Sequence, residues 1–344
     1  MKLRTCFALI LLLSSAVLSC RHKVPDVAET ASAAAEPAIS YAAPDGKVRV
    51  ALIKMPYSGA RNVPEISIAP DYLEQGGITS LLEQMGASLK PIQTVQLTPE
   101  QQGDYGEWHR LGLANGHLGR MTADNHKEGY LTVGLLANCS SLLGVLGGLQ
   151  HSASTGQSRK VGLVFIDAHG DFNTPETTLS GMLGGMPVAV CAGLALKNLR
   201  LKSGLEPPLP TSHIVMGAVR DTDPLEKELI EKSHIQMITV DDIRSLSPNI
   251  QKQMQRLSEA TDLIYIHIDM DVLDPKEVQG HPLTVPNGPT SKELAAALTV
   301  MFKYEKVAAL GIASTPAGDR DPDGLSRQAA YNLIEGALKG VQQR

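Results

Sequence analysis

Eight short runs rich in β-branched and aliphatic residues alternate with helix-forming segments, and this alternation constrains the fold more than any other feature. The runs lie at residues 47–55, 88–95, 130–137, 161–166, 213–219, 235–240, 262–268 and 307–313. Between them lie capped segments with helical periodicity, such as residues 223–234 and 290–305. Strands that alternate with helices form parallel sheets covered on both faces. The sequence therefore predicts one α/β domain over residues 47–344, built on a mainly parallel eight-stranded sheet.

The N-terminal segment differs in composition from this domain. Residues 1–4 are basic, residues 6–19 are apolar but short for a transmembrane span, and Cys20 follows the small Ser19. Residues 17–20 resemble a bacterial lipobox, which predicts a signal peptide over residues 1–20 and lipidation of Cys20. An ordinary secretory signal and an uncleaved anchor remain alternatives. Residues 21–46 are rich in Ala, Pro and Glu and predict a flexible linker, so we expect an exported lipoprotein, periplasmic or at the cell surface, whose lipid is its only membrane contact.

Charge and cysteine content exclude some classes of protein. The formal net charge is −5, without a cluster of Lys or Arg, which argues against nucleic acid as a partner. Cys139 and Cys191 are the two cysteines beyond the signal segment. Two cysteines do not form a disulfide framework, although a single bridge between them stays open.

Acidic residues and a histidine follow two of the apolar runs directly. Asp167, His169 and Asp171 follow residues 161–166, and Asp269 and Asp271 follow residues 262–268. Alternate residues of an extended chain face the same way, and ligands bind at the carboxyl ends of parallel strands. Carboxylates crowded beside an apolar core need a cation to neutralise them. The pattern predicts a divalent metal site, for which Mn²⁺ fits best and Zn²⁺, Ni²⁺ and Fe²⁺ are alternatives; helix caps, turn formers and a surface histidine are the alternative interpretation.

Two stretches carry a family resemblance. "DAHGDFNTPETTLSG" (residues 167–181) and "HIDMDVLDP" (residues 267–275) resemble the signatures of the ureohydrolases, which include arginase, agmatinase, guanidinobutyrase and formiminoglutamase. The resemblance implies a three-layer α/β/α fold, a homo-oligomer, a small-molecule substrate and a dinuclear manganese centre. Asp167 and Asp269 would bridge the two metals, and His169 and Asp271 would complete one of them. Asp171 and a residue from an earlier strand would complete the other.

The resemblance also implies the chemistry. A metal-bridging hydroxide would attack an amidine carbon, and Asp171 would orient the hydroxide and pass its proton to the leaving amine. Asn173 and Ser180 match positions that contact the far end of the substrate in arginase-like enzymes, although they could also be retained to shape the loop.

The ligand from the earlier strand departs from the family pattern. A Gly-Gly-Asp-His-Ser motif normally supplies a histidine, whereas residues 135–141 read "LLANCSS" and place Cys139 there. A thiolate can replace an imidazole on a first-row metal but favours softer ions. The prediction is that Cys139 is a metal ligand; an inert buried thiol is the alternative. His151 lies twelve residues further along a helix, about 18 Å away, and is rejected as a ligand.

Two substrate-binding positions also depart from the family. Gly184 stands where many ureohydrolases have a histidine, and Ala313 stands where guanidino-specific members have a glutamate in a Glu-x-x-Pro setting. The following loop offers Asp319, Asp321 and Asp323, which we interpret as a solvated turn.

Three functions are consistent with this pattern. The first is a metal-dependent hydrolase of a C–N bond in a linear amidine or guanidino-type compound unlike arginine. The second is a catalytically inactive surface lipoprotein that retains metal binding. The third is a hydrolase of neutral amides, since a site without the glutamate has lost its preference for a cation.

Overall fold

The computed structural model describes residues 39–57 and 67–344. Within this part of the chain, nine strands form one sheet in which every pair of neighbouring strands is parallel. They are β1 Val48–Met55, β2 Ala87–Leu89, β3 Gln93–Thr94, β4 Leu131–Leu136, β5 Val161–Ile166, β6 Ile214–Gly217, β7 Gln236–Ile238, β8 Leu263–Asp269 and β9 Val307–Ala313. The sheet order is β2-β1-β4-β9-β8-β5-β6-β7, and β3 also pairs with β1.

The strand count differs from the predicted eight because one predicted strand is divided. The run at residues 88–95 forms β2 and β3 on either side of Pro91, and both strands pair with β1. Proline has no backbone N–H to donate to a neighbouring strand, so the ladder is interrupted there. The fold class itself is confirmed.

Helices cover both faces of the sheet and produce the predicted three layers. The larger ones are Ala69–Gln75, Ile78–Gln84, Glu107–Lys127, Leu142–Gln150, Lys197–Lys202, Pro224–Glu231, Val240–Ser245, Pro248–Ala260, Ser291–Met301 and Leu325–Val341, and Pro99–Gly103 and Pro187–Cys191 are single turns. Glycine allows the closest helix contacts. A Cβ on Gly148 would lie 2.3 Å from the carbonyl oxygen of Gly119, and one on Gly336 would lie 2.3 Å from that of Ala295. These pairs of helices therefore pack with their backbones in contact.

The central strands of the sheet form the hydrophobic core and bring the predicted site residues together. Every residue of β4, β5, β8 and β9 is buried, as expected for parallel strands covered on both faces. These strands are neighbours in the order β4-β9-β8-β5, so the chain segments that leave their carboxyl ends meet at one edge of the sheet.

Gly311 in β9 tests this packing. A Cβ there would lie 2.1 Å from the hydroxyl oxygen of buried Tyr265 and 2.9 Å from Cδ1 of Leu136. We expect Gly311→Ala to lower the free energy of unfolding by about 3 kcal/mol, since neighbours in a central strand cannot move away. Gly103→Ala is the control, because no atom lies within 4 Å of its added Cβ, and it should change stability by no more than about 0.5 kcal/mol. Chemical denaturation of both variants measures this, and equal stabilities would contradict the packing.

The predicted signal peptide (residues 1–20), its lipidation site Cys20 and most of the linker lie outside the described residues, so these assignments stay predictions. At the described end of the linker, Tyr41 is buried and its hydroxyl lies 3.0 Å from Nδ1 of His126. Among the helices of residues 39–57 and 67–344, none is long and apolar enough to cross a bilayer.

Candidate metal centre

The two Asp-containing stretches form matching turns at the ends of β5 and β8. The backbone N–H of His169 donates to Asp167 Oδ1 at 2.7 Å, and that of Asp271 donates to Asp269 Oδ1 at 3.0 Å. Each aspartate thus accepts a hydrogen bond from the residue two positions on, as in an Asx turn. Asp167 and Asp269 therefore do form turns, as the alternative interpretation expected. Each aspartate also has a second carboxylate oxygen, which faces the other side chains of the site.

The side chains of the two turns lie close to one another. Nδ1 of His169 lies 3.0 Å from Asp271 Oδ2 and 3.5 Å from Asp167 Oδ1. The backbone N–H of Ala168 donates to Asp271 Oδ1 at 3.2 Å, which joins the two turns. Asp167, His169 and Asp271 each offer a ligand atom within 4.8 Å of the others. The sequence-predicted residues of this half of the site therefore lie together.

Cys139 completes a second group. It begins a short 3₁₀ turn, Cys139–Ser141, three residues after the end of β4, and its Sγ lies 2.8 Å from Asp269 Oδ2 and 3.9 Å from Asp167 Oδ2. Cys139, Asp167 and Asp171 also offer ligand atoms within 4.8 Å of one another. Cys139 and Cys191 are both free thiols, so the bridge left open by the sequence does not form. His151 is exposed at the end of helix Leu142–Gln150, away from these groups.

Asp171 is held in an unusual backbone conformation. Its φ is +47°, in the left-handed region that aspartate and asparagine enter more readily than most residues. Its carbonyl accepts from the backbone N–H groups of Val188 and Ala189 at 2.9 and 3.3 Å. Its carboxylate is buried beside Cys139 and Asp167.

Burial and mutual repulsion raise the pKa values of the acidic groups when no cation is present. Burial, and then the charges of the neighbouring aspartates, raise the pKa of Asp171 and of the Cys139 thiol well above their usual values. Burial, followed by the charge of Asp167, raises the pKa of Asp271 to about 6. For His169, burial lowers the pKa, but hydrogen bonds to Asp167 and Asp271 outweigh it and raise the value to about 11.

The donor set fits one or two divalent cations. A cation would replace the protons and relieve the repulsion among the buried carboxylates. Oxygen ligands with one imidazole suit Mn²⁺, while a thiolate favours softer ions such as Zn²⁺. The described residues therefore include the groups that a metal site needs, and their identity leaves the choice of metal open.

The ligand groups line a cavity of about 330 Å³. Of the predicted substrate residues, Asn173 and Ser180 both line it. The side chain of Asn173 is occupied within its loop, since Nδ2 donates to Asp223 Oδ2 at 3.2 Å and Oδ1 accepts from the Thr177 hydroxyl at 2.9 Å. Ser180 is exposed. Asn173 thus shapes the loop, whereas Ser180 is accessible to a ligand.

The acidic loop after β9 behaves differently from a fully solvated turn. Asp319 and Asp323 are exposed, but Asp321 is buried and accepts from the Tyr72 hydroxyl at 2.9 Å and from the backbone N–H of Ser326 at 2.9 Å. None of these three aspartates lines the cavity described above, which Arg320 lines instead. No carboxylate from this loop replaces the glutamate missing at Ala313.

Sequence reasoning missed several residues that line the cavity. Asp221, Thr222, Asp223 and Glu226 follow β6, and His281, Leu283, Ser314, Thr315 and Arg320 come from the loops after β8 and β9. The residues after β6 could have been found, because "RDTDP" follows a parallel strand just as the metal stretches do. Ser314 donates to Asp269 Oδ2 at 2.6 Å, and His281 forms a third group of ligand-capable atoms with Asp269 and Asp271.

A three-layer α/β/α fold with buried carboxylates, imidazole and thiol at the carboxyl ends of β4, β5 and β8 defines a metallohydrolase-like protein. Comparison with known proteins makes the assignment more specific. The model of the Arginase family matches residues 48–337, so the chain belongs to the arginase family.

Individual relatives are distant but cover most of the chain. An arginase of Bacillus caldovelox is 25% identical over 264 residues, which cover 74% of this chain and 87% of that protein. An arginase structure from Bacillus subtilis has a TM-score of 0.73 at 22% identity and covers 84% of this chain and 98% of its own. The formimidoylglutamase structure from Bacillus subtilis subsp. subtilis str. 168 has a TM-score of 0.65 at 20% identity, with 86% and 87% covered. The family is thus shown, and this member is divergent.

Proposed function

We propose that this protein is a metal-dependent hydrolase of a C–N bond in a small linear amidine-type compound. The observation that carries the proposal is the convergence of the buried side chains of Asp167, Asp171, Asp269 and Cys139 at one cavity. Buried like charges of this kind are costly unless they serve a cation. Membership of a family of metal-dependent hydrolases of guanidino and amidino compounds supports the same conclusion.

Each residue has a role in this proposal. Six side chains would hold the metal: those of Cys139, Asp167, His169, Asp171, Asp269 and Asp271. When bound, the metal would supply the charge that lowers the pKa of water and polarises the reacting group. Asp171 also orients the attacking water and carries its proton to the leaving nitrogen. The hydroxyl group of water joins the carbon, the C–N bond breaks, and an amine leaves with the proton.

The cavity favours a substrate unlike arginine. Ala313 provides no carboxylate for a guanidinium, and an unpaired buried cation binds weakly. A Cβ on Gly184 would meet only Asn138 Nδ2, at 3.7 Å, so the missing histidine leaves space. Met182 and Leu283, which line the cavity, expose 50% and 45% of their surface. These side chains form an apolar rim that suits a substrate with an apolar portion.

Metal analysis and a turnover screen test the proposal together. After loading with Mn²⁺, Zn²⁺ or Ni²⁺, the purified protein should retain one or two metal ions and release an amine from at least one substrate of the class. Asp269→Ala should lose both properties, while Asp319→Asn, which changes an exposed aspartate that does not line the cavity, should keep both. Retained metal without turnover on any amidine or amide would support the inactive alternative, and absence of both would refute the proposal.

A further inference from the structure

His281 is a buried imidazole at the cavity wall that the family motifs do not account for. Its side chain is 7% exposed, and Nε2 lies 3.7 Å from Asp269 Oδ1. Its Nδ1 accepts a hydrogen bond from the backbone N–H of Leu283 at 3.2 Å.

This hydrogen bond fixes the tautomer of the ring. Because the Nδ1 lone pair accepts from Leu283, the proton of the neutral ring lies on Nε2. Nε2 then has no lone pair for a metal, so His281 is not a ligand in this arrangement despite its proximity to Asp269 and Asp271. The Nε2–H group lies too far from Asp269 for a hydrogen bond and is directed at the metal-site side of the cavity.

Apart from the proposed metal ligands, the loops after β8 and β9, which line this part of the cavity, contribute no carboxylate that could pair with a cation. Ala313, at the end of β9, is fully buried and has no polar side-chain group, and the Ser314 hydroxyl donates to Asp269. Thr315 Oγ1 is buried and has no hydrogen-bond partner among the described residues, although Thr315 lines the cavity. A guanidinium only donates hydrogen bonds, so it would place donors against the Nε2–H of His281. A carbonyl oxygen would accept from it.

We propose that His281 is a substrate-contacting hydrogen-bond donor and that the scissile group is a neutral carbonyl C–N group, an amide or a ureido group, rather than a guanidinium. This inference rests on the proposed metal-assisted hydrolysis and replaces the amidine-type substrate proposed above with a neutral carbonyl compound. Water adds its hydroxyl to the carbonyl carbon, the C–N bond breaks, and the amine leaves with a proton; no oxidant or reductant is needed. His281 keeps its proton and donates to the carbonyl oxygen as negative charge develops there.

The tautomer is measured on the metal-free protein. Nitrogen-15 NMR of the histidine rings, assigned with His281→Asn, should show His281 protonated on Nε2 and unprotonated on Nδ1. A ring protonated on Nδ1 with a free Nε2 would overturn the proposal, since that form is a ligand and not a donor.

Binding of matched ligands tests the substrate class. Butylurea and butylguanidine have nearly the same shape but opposite hydrogen-bonding character at the head group, and N-butylacetamide separates amide from ureido preference. With metal-loaded wild type, calorimetry should show that a carbonyl ligand binds at least about tenfold more tightly than the guanidine. His281→Ala should lose about tenfold in carbonyl affinity, and His281→Asn, which retains an N–H donor, should recover part of it.

Ala313→Glu provides the opposite change, because it restores a carboxylate and should shift the preference towards butylguanidine. Three results would overturn the proposal. The wild type could prefer the guanidine, it could bind no carbonyl ligand at millimolar concentration, or His281→Ala could leave the carbonyl affinity unchanged. Metal content and turnover, measured on the same samples, show separately whether the proposed hydrolase function fails.

Discussion

Replacing Asp171 with asparagine is expected to lower turnover by at least about 10²-fold, because the carboxylate is proposed both to hold metal and to carry the proton to the leaving nitrogen. Asparagine is the substitution that best isolates the loss of the negative charge. It keeps the size of the side chain and tolerates the left-handed backbone at φ +47°. The variant therefore removes charge with little change in backbone energy. Steady-state turnover of the metal-loaded proteins measures the effect.

The same variant has an opposite effect on the metal-free protein. The pKa of Asp171 is raised well above normal by burial and then by the charges of Asp167 and Asp269. The folded state therefore binds a proton that the unfolded state releases, and the stability of wild type falls as pH rises above the ordinary carboxyl pKa of about 4. Asp171→Asn lacks this cost, so its metal-free melting temperature should equal or exceed that of wild type at neutral pH, and the difference should grow with pH.

Added metal reverses the order, because a ligand that binds only the folded state stabilises it by mass action. Wild type should gain more in melting temperature than Asp171→Asn. Asp171→Ala is a useful comparison: alanine disfavours positive φ by about 1–2 kcal/mol, so it should be less stable than the asparagine variant. Full turnover by Asp171→Asn would exclude the assigned role.

The two aspartate turns of the candidate metal site could be predicted because their first aspartates lie at the ends of strands. Asp167 directly follows β5 and Asp269 ends β8, and the pairing of these two strands brings the aspartates to neighbouring carboxyl ends. Cys139 follows β4 by the same rule. What the sequence does not contain is the proximity of the Cys139 sulfur to Asp269, since 130 residues separate them.

His281 could not be placed in this way, because it lies in a long loop whose path depends on distant contacts. A Cβ on Gly280 would lie 1.9 Å from the carbonyl oxygen of Arg320, and one on Gly288 would lie 2.3 Å from that of Val272. These two glycines let the loop pack closely against the backbone of other segments, and His281 follows Gly280 directly. Asp321 is a similar case: its partner Tyr72 is 249 residues away, and local composition indicated only an exposed turn.

Replacing Cys139 with alanine is expected to remove about one equivalent of tightly bound metal, because the thiol lies at the junction of Asp167, Asp171 and Asp269. Cys139→His should retain the metal count but shift the preference from Zn²⁺ towards Mn²⁺ by about tenfold or more, since a thiolate favours the softer ion. Competition against a chelator of known affinity measures both changes. Cys191→Ala is the matched control, because Cys191 is equally buried but bonds to the carbonyl of Val188.

Proton release distinguishes a ligand from an inert thiol. Burial, followed by the charges of Asp269, Asp171 and Asp167, raises the pKa of Cys139 well above its usual value, so the metal-free thiol is protonated at neutral pH. A metal must displace that proton, and its apparent affinity should rise with pH more steeply in wild type than in Cys139→Ala, by about one further proton per metal bound. If metal content, selectivity and proton release are the same in both proteins, Cys139 is an inert buried thiol. In that case the second metal position is held by aspartates alone, a set of hard oxygen ligands that would remove the reason to expect Zn²⁺.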